Sequence, residues 1–161
     1  MASETAIDAL AESALATDVD FLAVKAFATG TRIANRSLAR LDLRVRSYSV
    51  LAITCGARPV TQRDLAEFLS LDPSQIVALV DELESDGLVR REVDPTDRRS
   101  RVVRATDRGQ ERFAEAREAI GEAQEEALAA LDVEERDVLL TLLRKLVFGD
   151  RAVEPTASSF S

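Results

Sequence analysis

Residues 61–106 contain two short amphipathic helix patterns, joined by a tight turn and followed by two strand patterns. Thr61, with Asp64 at the third following position, predicts the N-cap of a first helix over TQRDLAEFLS. Asp72 followed by Pro73 predicts the start of a second helix over PSQIVALVDELES. The predicted apolar faces are Leu65, Ala66, Phe68 and Leu69 in the first helix and Ile76, Val77, Val80 and Leu83 in the second. Two such helices joined by a tight turn form a helix-turn-helix.

The periodicity changes from helical to extended after Gly87, which is placed to end the second helix in a left-handed conformation. The segment LVRREV has apolar residues at strand positions, and SRVVRAT is rich in β-branched residues. The charged turn DPTDRR lies between them. Two strand patterns around a charged turn predict a β-hairpin, which would form a wing beside the helix-turn-helix.

Helical patterns also flank this central segment. A first helix is predicted from an N-cap at Thr17 to about Arg40, a second over about residues 45–55, and two more over about 107–131 and 133–148. The predicted fold class is therefore mainly α with a small β-hairpin wing (α+β), a winged helix-turn-helix with a helical dimerisation region.

The predicted elements divide the chain into five segments. They are an N-terminal extension (1–17), a dimerisation helix (18–44), a winged helix-turn-helix region (45–106), two further dimerisation helices (107–148) and a disordered tail (149–161). The first and last helices have apolar faces larger than the small winged region can cover. We therefore expect them to pair with a second copy of the chain in a homodimer.

The composition argues against several classes of protein. The chain has no histidine and a single cysteine, so it lacks the commonest general base, an internal disulfide and any zinc site built on histidine. We predict no catalytic site, metal or cofactor, and carboxylate chemistry is the one enzymatic possibility left open. No apolar run approaches the roughly 18 residues of a membrane span, and the N-terminus is acidic where a secretory signal is basic. A cytoplasmic protein is expected.

The net charge of −8 is unevenly distributed. Residues 31–63 carry seven basic side chains against one acidic, and residues 90–104 carry six against three. Residues 64–89 carry seven acidic side chains and no basic one. The two basic blocks leave room for binding to nucleic acid despite the acidic total.

The run VTQRDLAEFLSLDPSQIVALVDELESDGLVRREVDPTDRRSRVVRATDRG resembles the MarR family, and the likeness extends over roughly residues 18–148. Its most specific motifs are LE, GLV.R, D..DRRS, and T..G at the start of the next helix. The chain departs from the family pattern at Asp42, where glycine is frequent, and at Arg44, where a capping Ser or Thr is common. The resemblance implies a homodimeric transcriptional regulator whose recognition helices enter successive major grooves of a pseudo-palindromic double-stranded DNA operator. Many such proteins are repressors released by a small aromatic or phenolic acid, or by an oxidant.

The candidate DNA contacts lie on three elements. The second helix of the motif should present its first exposed residues to base edges, namely Pro73, Ser74, Gln75 and Ala78. The wing should contact the minor groove and phosphates through Arg98, Arg99 and Arg101, with Asp97 beside them in the DNA-binding set and Arg90, Arg91 and Arg104 along its strands as further phosphate contacts. The family pattern implies that Asp97 orients Arg99 through a charge-assisted bond. Thr61, Gln62 and Arg63, at a helix N-terminus, are secondary phosphate candidates. The alternative is that these are ordinary solvated side chains.

A small-molecule effector site is expected between the dimerisation helices and the winged region. The candidate ligand-binding residues are Arg32, Arg36, Arg46 and Tyr48, which could otherwise serve in ion pairs and the core. Cys55 is predicted to be a structural residue, with a peroxide sensor as the alternative. The alternative function is a winged-helix protein-interaction module without DNA binding. The acidic residues Asp81, Glu82, Glu84 and Asp86 of the recognition helix are its only support.

Overall fold

The computed structural model describes residues 4–94 and 97–149. Its helices are α1 (Glu4–Ala11), α2 (Val19–Leu38), α3 (Val45–Thr54), α4 (Gln62–Leu69), α5 (Pro73–Ser85), α6 (Asp107–Ala127) and α7 (Val133–Phe148). Its strands are β1 (Val60–Thr61), β2 (Val89–Val93) and β3 (Arg101–Ala105). The predicted mainly α fold with a hairpin wing is confirmed. No helix within the described ranges is long and apolar enough to cross a membrane.

The N-terminus of α2 differs from the prediction by one residue. The side chain of Asp18 accepts a hydrogen bond from the main-chain N–H of Phe21 at 2.9 Å and is the N-cap. The predicted cap, Thr17, is wrong, because its hydroxyl donates to the preceding 3-10 turn instead. The α-helix ends at Leu38, and a short 3-10 turn carries the chain past Arg40.

The corner between α2 and α3 explains both departures from the family pattern. Asp42 adopts a left-handed conformation with φ 55°, which glycine adopts most easily and aspartate tolerates. At the start of α3, the Arg44 N–H donates to Ser47 Oγ at 2.9 Å, and the Val45 N–H donates to Asn35 Oδ1 at 2.9 Å. A side chain one turn into the helix and another from α2 thus replace the missing Ser or Thr cap.

The three strands form one antiparallel sheet in the order β1-β3-β2. The hairpin places Arg91 opposite Val103, and Val60 of β1 pairs with Val103 from the other side. Strand β1 was not predicted, because two residues carry no detectable periodicity. Side chains from α3, α4, α5 and the sheet share one core that includes Leu51, Leu65, Ile76, Val80, Leu83 and Val103. This core fixes the helix-turn-helix against the wing.

The T..G motif at the start of α6 ties this helix to the wing. The Thr106 hydroxyl donates to Gly87 O at 2.7 Å and accepts from the Gly109 N–H at 3.0 Å. The Thr106 N–H donates to Leu88 O at 3.0 Å. A Cβ atom on Gly109 would lie 1.9 Å from that same Leu88 oxygen, so the close approach requires glycine. Gly87 has φ 72° and ends α5 as predicted.

The chain divides into two compact units, Met1–Glu126 and Ala127–Ser161. Helix α6 ends at Ala127, where the second unit begins, and this is earlier than the predicted residue 131. In the second, Asp132 caps α7 by accepting from the Glu135 N–H at 2.9 Å. Each unit exposes apolar side chains, among them Val24 and Phe27 on α2 and Val138, Leu142 and Leu146 on α7. The predicted disordered tail lies outside the described residues, apart from Gly149.

Candidate nucleic-acid interface

The start of α5 exposes the predicted base-contacting residues. Pro73 is the first helical residue, and Asp72 Oδ1 accepts from the main-chain N–H and the hydroxyl of Ser74 at 2.8 and 2.5 Å. Ser74, Gln75 and Ala78 are all exposed. The opposite face of the helix is buried in the core. The helix therefore presents its first two turns outward.

Two residues predicted on apolar faces are exposed instead. Val77 of α5 is 43% exposed and Phe68 of α4 is 57% exposed, so their assignment to the buried faces is wrong. Both residues have the helical spacing of core positions, which is why they were assigned to the buried faces. The width of the buried face of a helix depends on the elements packed against it, which the spacing does not reveal. Val77 consequently lies at the edge of the exposed face that carries Ser74 and Ala78.

The N-terminus of α4 is largely occupied by its own cap. The Thr61 N–H and hydroxyl donate to Asp64 Oδ2, each at 2.8 Å, and the Thr61 oxygen accepts from the Asp64 N–H at 3.1 Å. The hydrogen bonds from Thr61 hold the pKa of Asp64 below its ordinary value. Gln62 Oε1 accepts from Arg91 Nε at 2.8 Å. Arg63 is exposed and has no ion pair among the described residues, so it is the phosphate candidate of this group.

The wing tip, residues 97–101, presents three exposed arginine side chains. Asp97 Oδ1 accepts from the main-chain N–H of Arg99 at 2.9 Å, and Asp97 O accepts from the Ser100 N–H at 2.9 Å. The Asp97 carboxylate thus holds the main chain at Arg99. Arg98, Arg99 and Arg101 are exposed and form no ion pair within residues 4–94 and 97–149.

The arginines along the strands are paired with acidic side chains, and their role as further phosphate contacts stays a prediction. Arg90 pairs with Glu92, and Arg104 Nε lies 3.6 Å from Glu92 Oε2. Arg91 contacts Asp81 at 2.5 Å and also pairs with Glu84.

These ion pairs explain part of the acidic charge on the recognition helix. The Arg91 N–H donates to Glu84 Oε1 at 2.8 Å, and this bond is the main reason that the pKa of Glu84 lies below its ordinary value. Two of the three carboxylates on α5 therefore serve an internal contact, which removes much of the support for a protein-interaction module. Sequence reasoning missed this cluster, although an acidic block beside a basic one hinted at pairing.

The four candidate effector residues have separate environments. Arg36 Nη2 contacts the two Glu126 carboxylate oxygens at 2.7 and 2.5 Å, and the ring of Tyr48 lies 5.8 Å from that of Phe113. Arg32 and Arg46 are exposed. None of the four lines the cavity of about 230 Å³ formed by Leu41, Asp42, Asp86, Leu88, Arg108 and Arg112.

Cys55 follows the last residue of α3 and is half-buried. Burial raises the pKa of its thiol, which lowers the fraction of reactive thiolate at neutral pH. Among the residues that the structure describes, no group of three acidic or cysteine side chains is placed to hold a metal ion.

Comparison with known proteins places these features in a family. A family model described as MarR family matches residues 41–100. The crystal structure of a MarR-family transcriptional regulator from Rhodococcus sp. RHA1 is 36% identical with TM-score 0.79, covering 85% of this chain and 97% of that one. CouR from Rhodococcus jostii RHA1, bound to p-coumaroyl-CoA, is 36% identical with TM-score 0.75 over 92% and 100% of the two chains. A mutant MarR from E. coli complexed with operator DNA is 25% identical with TM-score 0.70 over 84% and 99%.

A comparison of sequences alone also finds a transcriptional regulator. The HTH-type transcriptional regulator YdgJ of Bacillus subtilis is 31% identical over 97 residues, which are 60% of this chain and 59% of the relative. The chain thus matches about three-fifths of that relative's length. The winged helix-turn-helix, the D..DRRS motif and the T..G contact coincide with a match to a solved regulator at 36% identity over 85% of this chain. The chain belongs to the MarR family of DNA-binding transcriptional regulators.

Proposed function

We propose that a homodimer of this chain, without enzymatic activity, binds a pseudo-palindromic double-stranded DNA operator and represses transcription. The observation that carries the proposal is the exposed wing tip, whose arginines 98, 99 and 101 lack internal partners among the described residues. An arginine side chain suits a narrow minor groove of strongly negative potential. The E. coli relative, whose structure is a complex with operator DNA, supports binding to an operator.

The proposed contacts divide into two groups by chemistry. Gln75 and Ala78, with Pro73 and Ser74 beside them, are proposed to contact base edges in the major groove. Arg63 and the wing tip are proposed to contact phosphates and the minor groove. Thr61 and Gln62 are proposed to position the N-terminus of α4, where Arg63 lies, against a phosphate. Base preference would then reside on α5, and most of the affinity on the wing.

The homodimer is supported by the apolar side chains that the two units leave exposed. Val24 and Phe27 on α2 and Leu142 and Leu146 on α7 are each more than half exposed. Apolar surface of this extent marks an interaction site. A second copy is the proposed occupant because two equal recognition helices match a pseudo-palindromic site.

The test is a selection from random-sequence DNA with the full chain, followed by anisotropy titration of the enriched duplex at several salt concentrations. We expect an inverted repeat with half-sites roughly one helical turn apart and a steep salt dependence. Arg99→Ala should weaken binding severalfold and reduce the salt slope by about 1. Arg40→Ala, which removes the same charge beside Glu122 on α6, is the control and should leave affinity unchanged. Weak binding without sequence enrichment would refute the proposal.

An effector is proposed as the second partner, on the support of CouR, whose structure contains p-coumaroyl-CoA. We propose that a small aromatic or phenolic acid, or its thioester, releases the operator and contacts Arg32, Arg36, Arg46 or Tyr48. Titrating p-coumaroyl-CoA and free p-coumarate into the labelled complex tests this directly. If either compound releases the DNA, and if Tyr48→Phe or Arg36→Ala weakens that release, the result supports the site. An unchanged anisotropy would refute these two effectors.

A further inference from the structure

Arg91 of β2 lies at the centre of a cluster formed with Gln62, Asp81 and Glu84, which we call the Arg91 cluster. We infer that Arg91 is a positioning residue for DNA binding, which neutralises Asp81 and Glu84 and holds the acidic side of the recognition helix against the wing. The inference rests on the proposed DNA-binding function and adds a residue that makes that function possible on an acidic helix.

The geometry assigns every nitrogen of the guanidinium group an internal acceptor. Nε donates to Gln62 Oε1 at 2.8 Å, Nη2 donates to Asp81 Oδ1 at 2.5 Å, and Nη1 donates to Glu84 Oε2. The side chain is only 20% exposed, whereas the side chain of its neighbour Arg90 is 60% exposed. Arg91 therefore differs from the wing-tip arginines, because each of its three side-chain nitrogens donates to an acceptor within the protein. Its contacts join α4, α5 and β2.

Asp81 is the carboxylate whose pairing matters most for DNA. It follows Ala78 by three residues and Ser74 by seven, so the three side chains share one face of α5. Its own side chain is 60% exposed, although its carboxylate is bound by Arg91. A helix that approaches DNA with this face brings Asp81 toward the phosphates. Without Arg91 the like charges would repel, and such juxtapositions strongly suppress association.

Charge across the whole segment makes Arg91 hard to replace. Residues 64–89 contain seven acidic side chains and no basic one, so α5 holds no cation of its own. The compensating charge must come from another element, and the described ion pairs assign that role to β2. The antiparallel pairing of Arg91 with Val103 fixes its main chain independently of the side chain. A side-chain substitution therefore tests the electrostatic role while leaving the ladder in place.

The experiment measures the dissociation constant of the full-length protein for its selected duplex in a double-mutant cycle. Arg91→Gln should weaken binding by about tenfold or more, as expected for unpaired like charge at an interface. In the Asp81→Asn background the same substitution should cost no more than about threefold, because coupled residues are not additive. Arg40→Gln, an equal charge change at an exposed residue paired with Glu122 of α6, is the control and should have little effect.

A direct phosphate contact would give a different pattern. Arg91→Gln would then cost the same in both backgrounds, and that additivity would overturn the inference, as would wild-type affinity of the single variant. If Arg91→Gln does not fold, the variant Asp81→Asn/Glu84→Gln/Arg91→Gln decides, because it replaces the three charges with neutral amides of similar shape. Binding within about threefold of wild type supports the inference, and a folded but weakly binding variant refutes it. Failure of the wild-type chain to select any duplex would refute the proposed function itself.

Discussion

Replacing Gly109 with alanine would place a methyl group against the main chain that leads into the wing. The added Cβ would lie 1.9 Å from the carbonyl oxygen of Leu88 and 2.9 Å from its carbonyl carbon. Ordinary contact begins at 3.4 Å, so the backbones must separate by the difference, about 1.5 Å. Neither atom belongs to a side chain that could rotate away. The whole helix start or the strand entry must therefore shift.

The energetic cost follows from what that shift disrupts. Overpacking against a fixed neighbour costs up to about 3 kcal/mol. The hydrogen bond from the Thr106 N–H to Leu88 O shares the displaced oxygen, and its loss adds about 1 kcal/mol. Alanine recovers about 1 kcal/mol relative to glycine within a helix. We expect Gly109→Ala to lower the free energy of unfolding by about 3 kcal/mol, a large part of a typical domain's stability.

The same helix offers a matched control. Gly121 also lies in α6, but a Cβ there would meet no atom within 4 Å. Gly121→Ala should therefore raise stability by up to about 1 kcal/mol through helix propensity alone. Urea denaturation followed by circular dichroism, at one protein concentration because of the expected dimer, measures both. A Gly109→Ala protein within about 0.5 kcal/mol of wild type would refute the contact with Leu88 as the reason for glycine.

Three further predictions concern other elements. Because Asp64 has a lowered pKa in the folded protein, its stabilising effect is present above the unfolded pKa of about 3.9 and is lost as the pH falls through the folded value. Asp64→Asn should accordingly destabilise the protein at neutral pH, with the difference vanishing in acid titrations of unfolding. Hydrogen peroxide should leave operator affinity unchanged, as should Cys55→Ser, because burial raises the thiol pKa; a peroxide effect abolished by Cys55→Ser would restore the sensor hypothesis. Truncation after Leu131 should yield a monomer or an insoluble chain in sedimentation, and a soluble folded dimer would contradict a dimerisation role for α7.

Local chemistry accounts for what could be predicted from the sequence. The caps at Thr61 and Asp72, the proline at the first position of α5 and the left-handed Gly87 were all anticipated and are all observed. Each involves groups no more than three residues apart, so the sequence itself brings the partners together. The same short range made the order of helices and strands, and hence the winged architecture, predictable.

Boundaries and buried faces were less predictable, because they depend on neighbouring elements. The cap of α2 is Asp18 and not the predicted Thr17. The sequence did not distinguish the two, because both residues are common N-caps and they are adjacent. Val77 has helical spacing suited to the core but lies beyond its edge. Asn35 caps α3 from ten residues away, which no local pattern reveals.

The sequence by itself determined the winged helix-turn-helix, which follows from periodicity, capping and turn residues, and the family, which follows from the resemblance of the wing motifs. Only the tertiary structure decided which arginines are available to a partner. Arg91 finds its acceptors seven, ten and twenty-nine residues away, whereas the wing-tip arginines find none among the described residues. A charge has the same formal value in every context, but its role depends on which opposite charges the fold places within about 4 Å of it.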